Sequence, residues 1–289
     1  MTRTIFNGPA ILACLMVLPL ASASSATGPN DDLFAFAAGT QIIDYPDDSP
    51  LTAMDSSPLN LIDGSAATDW TGEAGQPVTF VLELAETTEL SRVSFDTGGL
   101  NRDQKAPGDI RVEVSTTSPD SGFTPALSAR LRMNANNQSF AFPVDRRPTA
   151  RWVRLTLLNN HGDDYSGMTG FHGFGRQLTQ EASLPDINGR YDGASGIGTM
   201  NLTRSGDSVT GCYEHQSSQL TGVVDGRVVH VDVRETASDG STRRTRGTMT
   251  FGPDGRLFGL LRNVESFAQN DYAEYFSADK VSRTATRCR

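Results

Sequence analysis

Residues 59–70 read LNLIDGSAATDW, and residues 150–156 read ARWVRLT. The first stretch places an Asp-Gly turn shortly before a Thr-x-Trp motif, and the second alternates large apolar with polar side chains. Glycine takes a positive φ without strain, which suits a tight turn, and alternation with a period of two is typical of a β-strand. Around these two stretches we therefore expect strands joined by tight turns.

Further stretches of the N-terminal half repeat this alternation. Apolar residues occupy every second position in four separate runs, at 78–84, 93–95, 110–114 and 153–157. Short runs of this kind, separated by turn residues, indicate antiparallel strands that bury one face. The fold class predicted from the sequence is therefore all-β, with the first half forming an antiparallel sandwich.

The motifs of residues 36–175 resemble, in order, the discoidin family, also called coagulation-factor type C or galactose-binding-like domains. Besides the two stretches quoted above, the matches are VSF at 93–95, DIRVEVS at 109–115 and FHGFG at 171–175. The resemblance implies a jelly-roll sandwich in which Trp70 belongs to the core. It also implies binding rather than catalysis. Residues 36–43 together with 59–70 look like a variant found in proteobacterial envelope proteins.

A second block begins near residue 184. Asp-Gly pairs recur at 225–226, 239–240 and 254–255, and the segments between them are readable as strands at 199–203, 208–213, 227–234, 247–251 and 257–261. Asp-Gly is favoured in tight hairpin turns, so this block is predicted to be an antiparallel meander, open or closed into a small barrel. We therefore expect a sandwich at 30–180 and a meander or barrel at 184–289.

The chain of 289 residues is acidic, with a formal net charge of −9. Phosphates and anionic lipids attract basic surfaces, so neither nucleic acid nor an anionic membrane is an expected partner. Arg3 precedes an apolar run at 10–20, and Ala21-Ser22-Ala23 offers a small-residue cleavage site. This is the pattern of a secretory signal peptide, here 1–23, and the run is too short to span a bilayer. We expect an exported protein of the periplasm or cell surface without a transmembrane segment.

Three cysteines occur, at 14, 212 and 288. Lipidation at Cys14 is the alternative to plain signal cleavage, although the apolar run continues beyond Cys14. Once the signal is removed, Cys212 and Cys288 remain, and an even number in an exported chain predicts a disulfide between them. In the simplest chain-entropy model such a bridge contributes about 4 kcal/mol. Two unrelated thiols are the other interpretation.

The candidate ligand-binding residues lie in two loops, after residues 95 and 158. By resemblance to the family, these loops contact sugars at one end of the sandwich. They carry side chains suited to hydroxyl recognition and one ring suited to the apolar face of a sugar. The candidates are Asn101, Arg102, Asp103, His161, Asp163 and Tyr165. Ordinary solvated loop residues are the competing interpretation for each of them.

Many sugar-binding family members hold a structural calcium ion at the turn that Asp63 and Thr68 occupy here. The family's closing-strand Glu is missing, because Gly170 stands in its place. Calcium prefers six to eight oxygen ligands, so a lost carboxylate weakens the site. We expect Asp63 to cap its own turn, and no cofactor, with calcium as the open alternative.

Catalytic motifs are absent from the sequence: it contains no Gly-x-Ser-x-Gly elbow and no His-Glu-x-x-His pair. The expected function is therefore non-catalytic recognition of a carbohydrate or of a glycosylated envelope component. A structural module that binds an envelope protein is the alternative. A hydrolase with paired carboxylates between the two domains is the third hypothesis, since glycosidase acids leave no sequence motif.

Overall fold

The computed structural model describes residues 31–46, 56–75, 77–193, 197–214, 217–252, 255–263 and 274–286. The predicted signal peptide, Cys14 and Cys288 lie outside these residues. Within them the protein is all-β, as predicted, with four 3-10 turns at Phe36–Ala38, Pro58–Leu61, Asp103–Lys105 and Val144–Arg146. No helix in the described part of the chain has the length and apolar character needed to cross a membrane.

The N-terminal sandwich contains nine strands. They are β1 (Gln41–Asp44), β2 (Trp70–Glu73), β3 (Val78–Asp96), β4 (Asp109–Ser115), β5 (Thr124–Arg130), β6 (Gln138–Ala141), β7 (Thr149–Leu157), β8 (Tyr165–Met168) and β9 (Gly170–Gln177). One sheet has the order β1-β3-β7-β4-β5, and β2 pairs with β8 separately. The second half of β3 pairs with β6 and β9, and the register of β3 against β7 shifts between Glu83 and Thr88. The long strand β3 thus serves both layers.

Alternating side chains of both layers fill the core of the sandwich. Trp70 is fully buried, as predicted, and its ring meets the ring of Phe80 edge-on at a centroid distance of 4.8 Å. At the other side of the core, Phe171 stacks on Phe95 and meets Phe34 edge-on. These aromatic contacts join the N-terminal segment, β2, β3 and β9 into one apolar unit.

The C-terminal block is a closed barrel of eight strands, each paired with its neighbours in sequence order. The strands are β10 (Gly189–Gly193), β11 (Gly198–Ser205), β12 (Ser208–Tyr213), β13 (Gln219–Asp225), β14 (Val228–Thr236), β15 (Thr242–Phe251), β16 (Leu257–Asn263) and β17 (Glu274–Ser282); β17 closes against β10. The predicted meander is confirmed in its closed form. Gly226 and Gly240 take φ values of 56° and 83°, which is why the hairpin turns carry glycine there.

The barrel packs directly against the sandwich. Leu260 and Tyr275 of the barrel belong to the same apolar cluster as the sandwich core. Arg227 reaches across as well: its Nε donates to the Gly39 carbonyl, and its Nη2 donates to the Glu83 carbonyl at 2.7 Å. Burial lowers the pKa of Arg227 to about 10, against the opposing effect of Glu83. The two β-units are therefore joined by apolar contacts and by a mostly buried cation.

Candidate functional site

The two loops that carry the candidate residues meet at one end of the sandwich. The loop 97–108 follows β3, and the loop 158–164 follows β7. They are joined through their backbones, since the His161 amide donates to the Gln104 carbonyl at 3.1 Å. The loops meet because β4, which begins after the first loop, pairs with β7, which ends at the second.

Tyr165 is the exposed aromatic side chain of this end, with 42% of its surface accessible. Arg102 forms an ion pair with Asp163 (Nη1–Oδ2 3.1 Å), and its guanidinium carbon lies 5.9 Å from the centre of the Tyr165 ring. The ammonium of Lys105 lies 5.5 Å from the centre of the same ring. We call Arg102, Lys105, Asp163 and Tyr165 the rim cluster.

Hydrogen bonds hold the loop of the rim cluster in one conformation. Asp163 Oδ1 accepts from the Tyr165 amide at 3.0 Å, and Asn160 Nδ2 donates to the carbonyl groups of both residues at 2.7 Å. The Asp163 side chain is only 6% exposed, whereas that of Arg102 is 52% exposed. Asp163 therefore orients Arg102 and the loop, and leaves the ring and the guanidinium facing solvent.

The structure thus brings three of the six candidate residues together. Asn101 and Asp103 flank Arg102 in the chain, and Asn101 is exposed. His161 is half-buried, and its Nε2 lies 3.0 Å from the Leu131 carbonyl. The ligand-binding roles of all six stay predictions. Lys105, the fourth member of the cluster, has no sequence signal that separates it from an ordinary surface lysine.

Two open grooves border this end of the sandwich. One has a volume of 340 Å³, and Asn160, Asp163 and Ser166 are among its lining residues. The other measures 630 Å³ and lies beyond the 74–75 turn, beside Tyr45 and Glu73. Asp163 belongs both to the smaller groove and to the rim cluster, so the groove and the cluster are adjacent.

The turn that could hold calcium uses its carboxylate for protein donors instead. Asp63 Oδ1 accepts from the Ser65 amide at 2.7 Å, so Asp63 does cap its own turn. Its Oδ2 accepts from the Thr68 hydroxyl at 2.7 Å and from the Tyr275 hydroxyl of β17 at 2.8 Å. A guanidinium nitrogen of Arg262 lies 3.9 Å from Oδ1.

These contacts do not fit a calcium ion. Both oxygens of the Asp63 carboxylate already accept from protein donors. Burial raises the pKa of Asp63, and its hydrogen bonds and Arg262 oppose that shift. The neighbouring guanidinium would also repel a divalent cation. Among the described residues no group of three or more His, Cys, Asp and Glu is arranged to hold a metal ion. The barrel therefore supplies, through Arg262 and Tyr275, the partners that this carboxylate needs.

The position of the missing closing-strand Glu is filled by a histidine. A side chain at Gly170 would come within 2.6 Å of His172 Nε2. His172 lies between two carboxylates, with Nδ1 at 2.7 Å from Asp32 and Nε2 at 3.1 Å from Asp96. Burial alone would lower the pKa of His172, but Asp32 and Asp96 outweigh it and raise the pKa above its ordinary value. The contact between His172 and Asp32 attaches the N-terminal segment to β9.

Among known proteins, this chain resembles solved structures in its fold but matches none of the compared sequences. The sequence matches no family model and no curated protein. Solved structures that about half of the chain resembles include family 32 carbohydrate-binding modules. One belongs to a family 31 glycoside hydrolase of Clostridium perfringens, with 15% identity over 48% of this chain and 93% of the module, at a TM-score of 0.41.

Two further modules show the same degree of likeness. The module of EndoD from Streptococcus pneumoniae has 15% identity over 50% of this chain and 100% of its own length, at a TM-score of 0.40. The module of NanJ from Clostridium perfringens, solved in complex with galactose, has 13% identity over 47% of this chain and 91% of its own length, at a TM-score of 0.36. The matched part is about half of the chain in each case.

Proposed function

We propose that this protein is an exported, non-catalytic carbohydrate-binding protein whose sandwich holds a sugar at the rim cluster. The observation that carries the proposal is the exposed Tyr165 ring, with the Arg102 guanidinium and the Lys105 ammonium both within 6 Å of its centre. An aromatic ring offers an apolar surface to the C–H face of a sugar, and guanidinium and ammonium groups donate to its hydroxyls. The target would be a glycan or a glycosylated component of the cell envelope.

The conformation of the loop that carries Asp163 and Tyr165 supports binding without a large rearrangement. The hydrogen bonds of Asn160 and Asp163 hold the loop before any ligand arrives. A preformed site loses less conformational entropy on binding, which raises affinity for a small ligand. The open groove beside Asp163 leaves space for a second sugar unit.

Glu86, which contacts the interdomain linker, is not suited to act as the acid of a hydrolase. Glu86 accepts from the Thr179 hydroxyl and from the Ala182 amide, both at 2.5 Å. Burial would raise the pKa of Glu86, but these hydrogen bonds outweigh it and lower the pKa below the ordinary value. A glycosidase acid needs a raised pKa, so Glu86 is unsuited to that role.

Export and the disulfide belong to the same proposal. The signal-like sequence of the first 23 residues supports secretion. Cys212 lies buried in β12 opposite Asn201, and the Asn201 amide oxygen accepts from the Thr286 amide at 2.8 Å. The tail therefore passes beside this strand pair two residues before Cys288, which supports a Cys212–Cys288 bridge.

Substitution of the exposed ring tests the proposed site. The full-length secreted protein is screened on a glycan array, and the affinity for the best glycan is then measured by titration calorimetry. We expect Tyr165→Ala to weaken binding at least about tenfold, equal to about 1.4 kcal/mol, because the stacking surface is lost. Circular dichroism of the variant checks that the sandwich is intact.

Phe123→Ala is the matched control. Phe123 also carries an arginine over its ring, with the Arg154 guanidinium carbon at 4.2 Å from the ring centre, but it lies outside the rim cluster. We expect this variant to keep the affinity of the unmodified protein. Equal affinities of the Tyr165→Ala variant and the unmodified protein would refute the site, and an array without any bound glycan would refute the function.

A further inference from the structure

Arg262 of the barrel reaches into the sandwich at the loop that leads to β2. Residues 62–69 form this loop, which we call the Asp63 loop. Arg262 Nη2 donates to the Asp63 carbonyl at 2.6 Å and lies 3.9 Å from Oδ1 of the Asp63 carboxylate. The Asp63 side chain is fully buried, whereas that of Arg262 is 25% exposed. The guanidinium therefore lies against two oxygens of one buried acidic residue.

The Asp63 carboxylate has one ion pair among the residues that the structure describes, and its partner is Arg262. Its three hydrogen-bond partners, the Ser65 amide and the hydroxyls of Thr68 and Tyr275, are all neutral. A carboxylate withdrawn from water is costly unless a cation or several donors offset its charge. Removal of the guanidinium would leave this buried charge with neutral donors alone.

The oxygens that Arg262 contacts are of the kinds that bind calcium. A calcium ion is held by carboxylate and carbonyl oxygens, and the guanidinium lies against one oxygen of each kind at Asp63. A metal ion at the same two oxygens would face the arginine charge at short range and be repelled by it. Because arginine stays protonated in proteins, this cation is a permanent part of the loop.

The Asp63 loop is connected with the rim cluster through β2. The loop ends where β2 begins, and Glu73 at the far end of β2 is the register partner of Tyr165. Since β2 pairs with β8 separately from the large sheet, these two short strands depend on their flanking loops for their position. The Asp63 loop also approaches the loop 97–108, because a methyl group at Gly99 would lie 3.6 Å from the Ala66 carbonyl oxygen.

We infer that Arg262 is the resident cation of the Asp63 loop in place of a metal ion, and that the barrel thereby holds β2 and Tyr165 in position. Arg262 is a positioning residue, since it acts through Asp63 and not by contact with a sugar. The effect on ligand binding rests on the proposed function. The role as a cation does not depend on it.

Addition of metal to the unmodified protein is the first test. The melting temperature of the full-length protein is measured with excess EDTA and with millimolar calcium. We expect the same Tm in both, because the Arg262 charge repels a divalent cation from these oxygens. A Tm that rises with calcium and falls with EDTA would overturn the inference.

The charge at position 262 is the second test. Arg262→Met should lower the Tm, because the Asp63 charge loses its cation, whereas Arg262→Lys keeps a cation and should recover most of the loss. Arg246→Met is the matched control: Arg246 is the register partner of Arg262 on the next strand, but it pairs with Asp232 within the barrel. Equal losses in the two Met variants, or a Lys variant as unstable as Arg262→Met, would contradict the role of Arg262.

A double variant covers the case in which Arg262→Met does not fold. Asp63→Asn removes the charge that needs a cation and keeps the oxygen that accepts from the Ser65 amide. If Arg262 serves to offset that charge, the double variant of Asp63→Asn with Arg262→Met should be more stable than Arg262→Met alone. A double variant that gains nothing over the single one, or that also fails to fold, would count against the inference.

A signal from Tyr165 tests the connection with the rim cluster. The tyrosine rings are labelled with ¹³C, and Tyr165→Phe assigns the signal of that ring. Arg262→Met should shift the Tyr165 signal and weaken binding of the best glycan on the array about threefold or more, and Arg262→Lys should restore both. Arg246→Met should change neither.

The possible outcomes separate this inference from the proposed function. A Tyr165 signal and an affinity that Arg262→Met leaves unchanged would overturn the positioning of Tyr165 by the barrel. Unchanged stability of Arg262→Met would overturn the role as a cation, and carbohydrate binding would stand. An array without any bound glycan would overturn the proposed function, whereas the Tm values and the Tyr165 signal would still decide the inference.

Discussion

At the scale of single residues, charges in this protein are placed against specific partners. His172 is clasped between Asp32 and Asp96, and Asp32 also accepts from the backbone amides of Phe34 and Gly173 through its other oxygen. The N-terminal segment is thus attached to β9 by one protonatable group. Its state of protonation should therefore be visible in the stability of the sandwich.

We predict that the stability contributed by His172 falls as the pH rises. The folded-state pKa of His172 is raised, so its charge contributes fully below the unfolded-state pKa of about 6.5 and is lost as the pH passes the folded-state value. Urea unfolding between pH 6 and 9 measures the free energy for the unmodified protein and for His172→Gln. The difference between them should shrink with rising pH; two parallel profiles would contradict this.

At the scale of elements, glycines inside the barrel strands make room for side chains of the neighbouring strand. Gly259 of β16 lies opposite Phe276 of β17, and a methyl group at 259 would come within 2.1 Å of that ring. Gly222 has the same relation to Val229 and Val231 of β14. Glycine normally weakens a strand, so its presence here reflects packing rather than strand propensity.

We predict that Gly259→Ala destabilises the barrel by about 1–3 kcal/mol, the usual cost of overpacking a core. The methyl group would force the Phe276 ring away from its place in the barrel interior. In a Phe276→Leu background the same substitution should cost less, because the smaller side chain vacates the space. Chemical unfolding of the two single variants and the double variant measures this coupling, and additive losses would argue against it.

At the scale of the whole molecule, the sandwich and the barrel depend on each other. The Tyr275 hydroxyl of the barrel lies within hydrogen-bond distance of two acceptors of the sandwich, Asn60 Oδ1 at 2.6 Å and Asp63 Oδ2 at 2.8 Å. Arg227 satisfies the Gly39 carbonyl and faces the Glu83 carboxylate at 3.3 Å. These polar contacts border an apolar interface that includes Leu260. We therefore expect the protein to unfold in one cooperative transition.

Arg227→Gln tests this coupling. It removes a mostly buried guanidinium and leaves Glu83 with one cation fewer, so we predict a loss of about 3 kcal/mol and a separation of the calorimetric transition into two. Arg256→Gln removes an exposed arginine that pairs with Asp279 within the barrel, and should cost less than about 1 kcal/mol. A single transition with unchanged stability in the Arg227 variant would show that Arg227 does not contribute to the coupling of the two units.

Much of the fold follows from the sequence alone because its signals are local. Alternation of apolar residues indicates the strands, and Asp-Gly pairs indicate the hairpin turns. In the structure Gly226 and Gly240 take the positive φ that such turns need. The all-β class was predicted on this basis and the burial of Trp70 from the resemblance to the discoidin family, and both are confirmed. The residue types of the two loops also made Arg102 and Tyr165 candidate ligand-binding residues. The structure places their side chains close together.

Only the tertiary structure decided the rest, because it depends on contacts between distant parts of the chain. Local patterns at 78–84 and 93–95 indicate two strands, whereas packing of both layers makes one strand of Val78–Asp96. Tyr275 reaches Asp63 across 212 positions, and no local period encodes that approach. The approach of Lys105 to Tyr165 is of the same kind, because the two residues lie in different loops that only the pairing of β4 with β7 brings together.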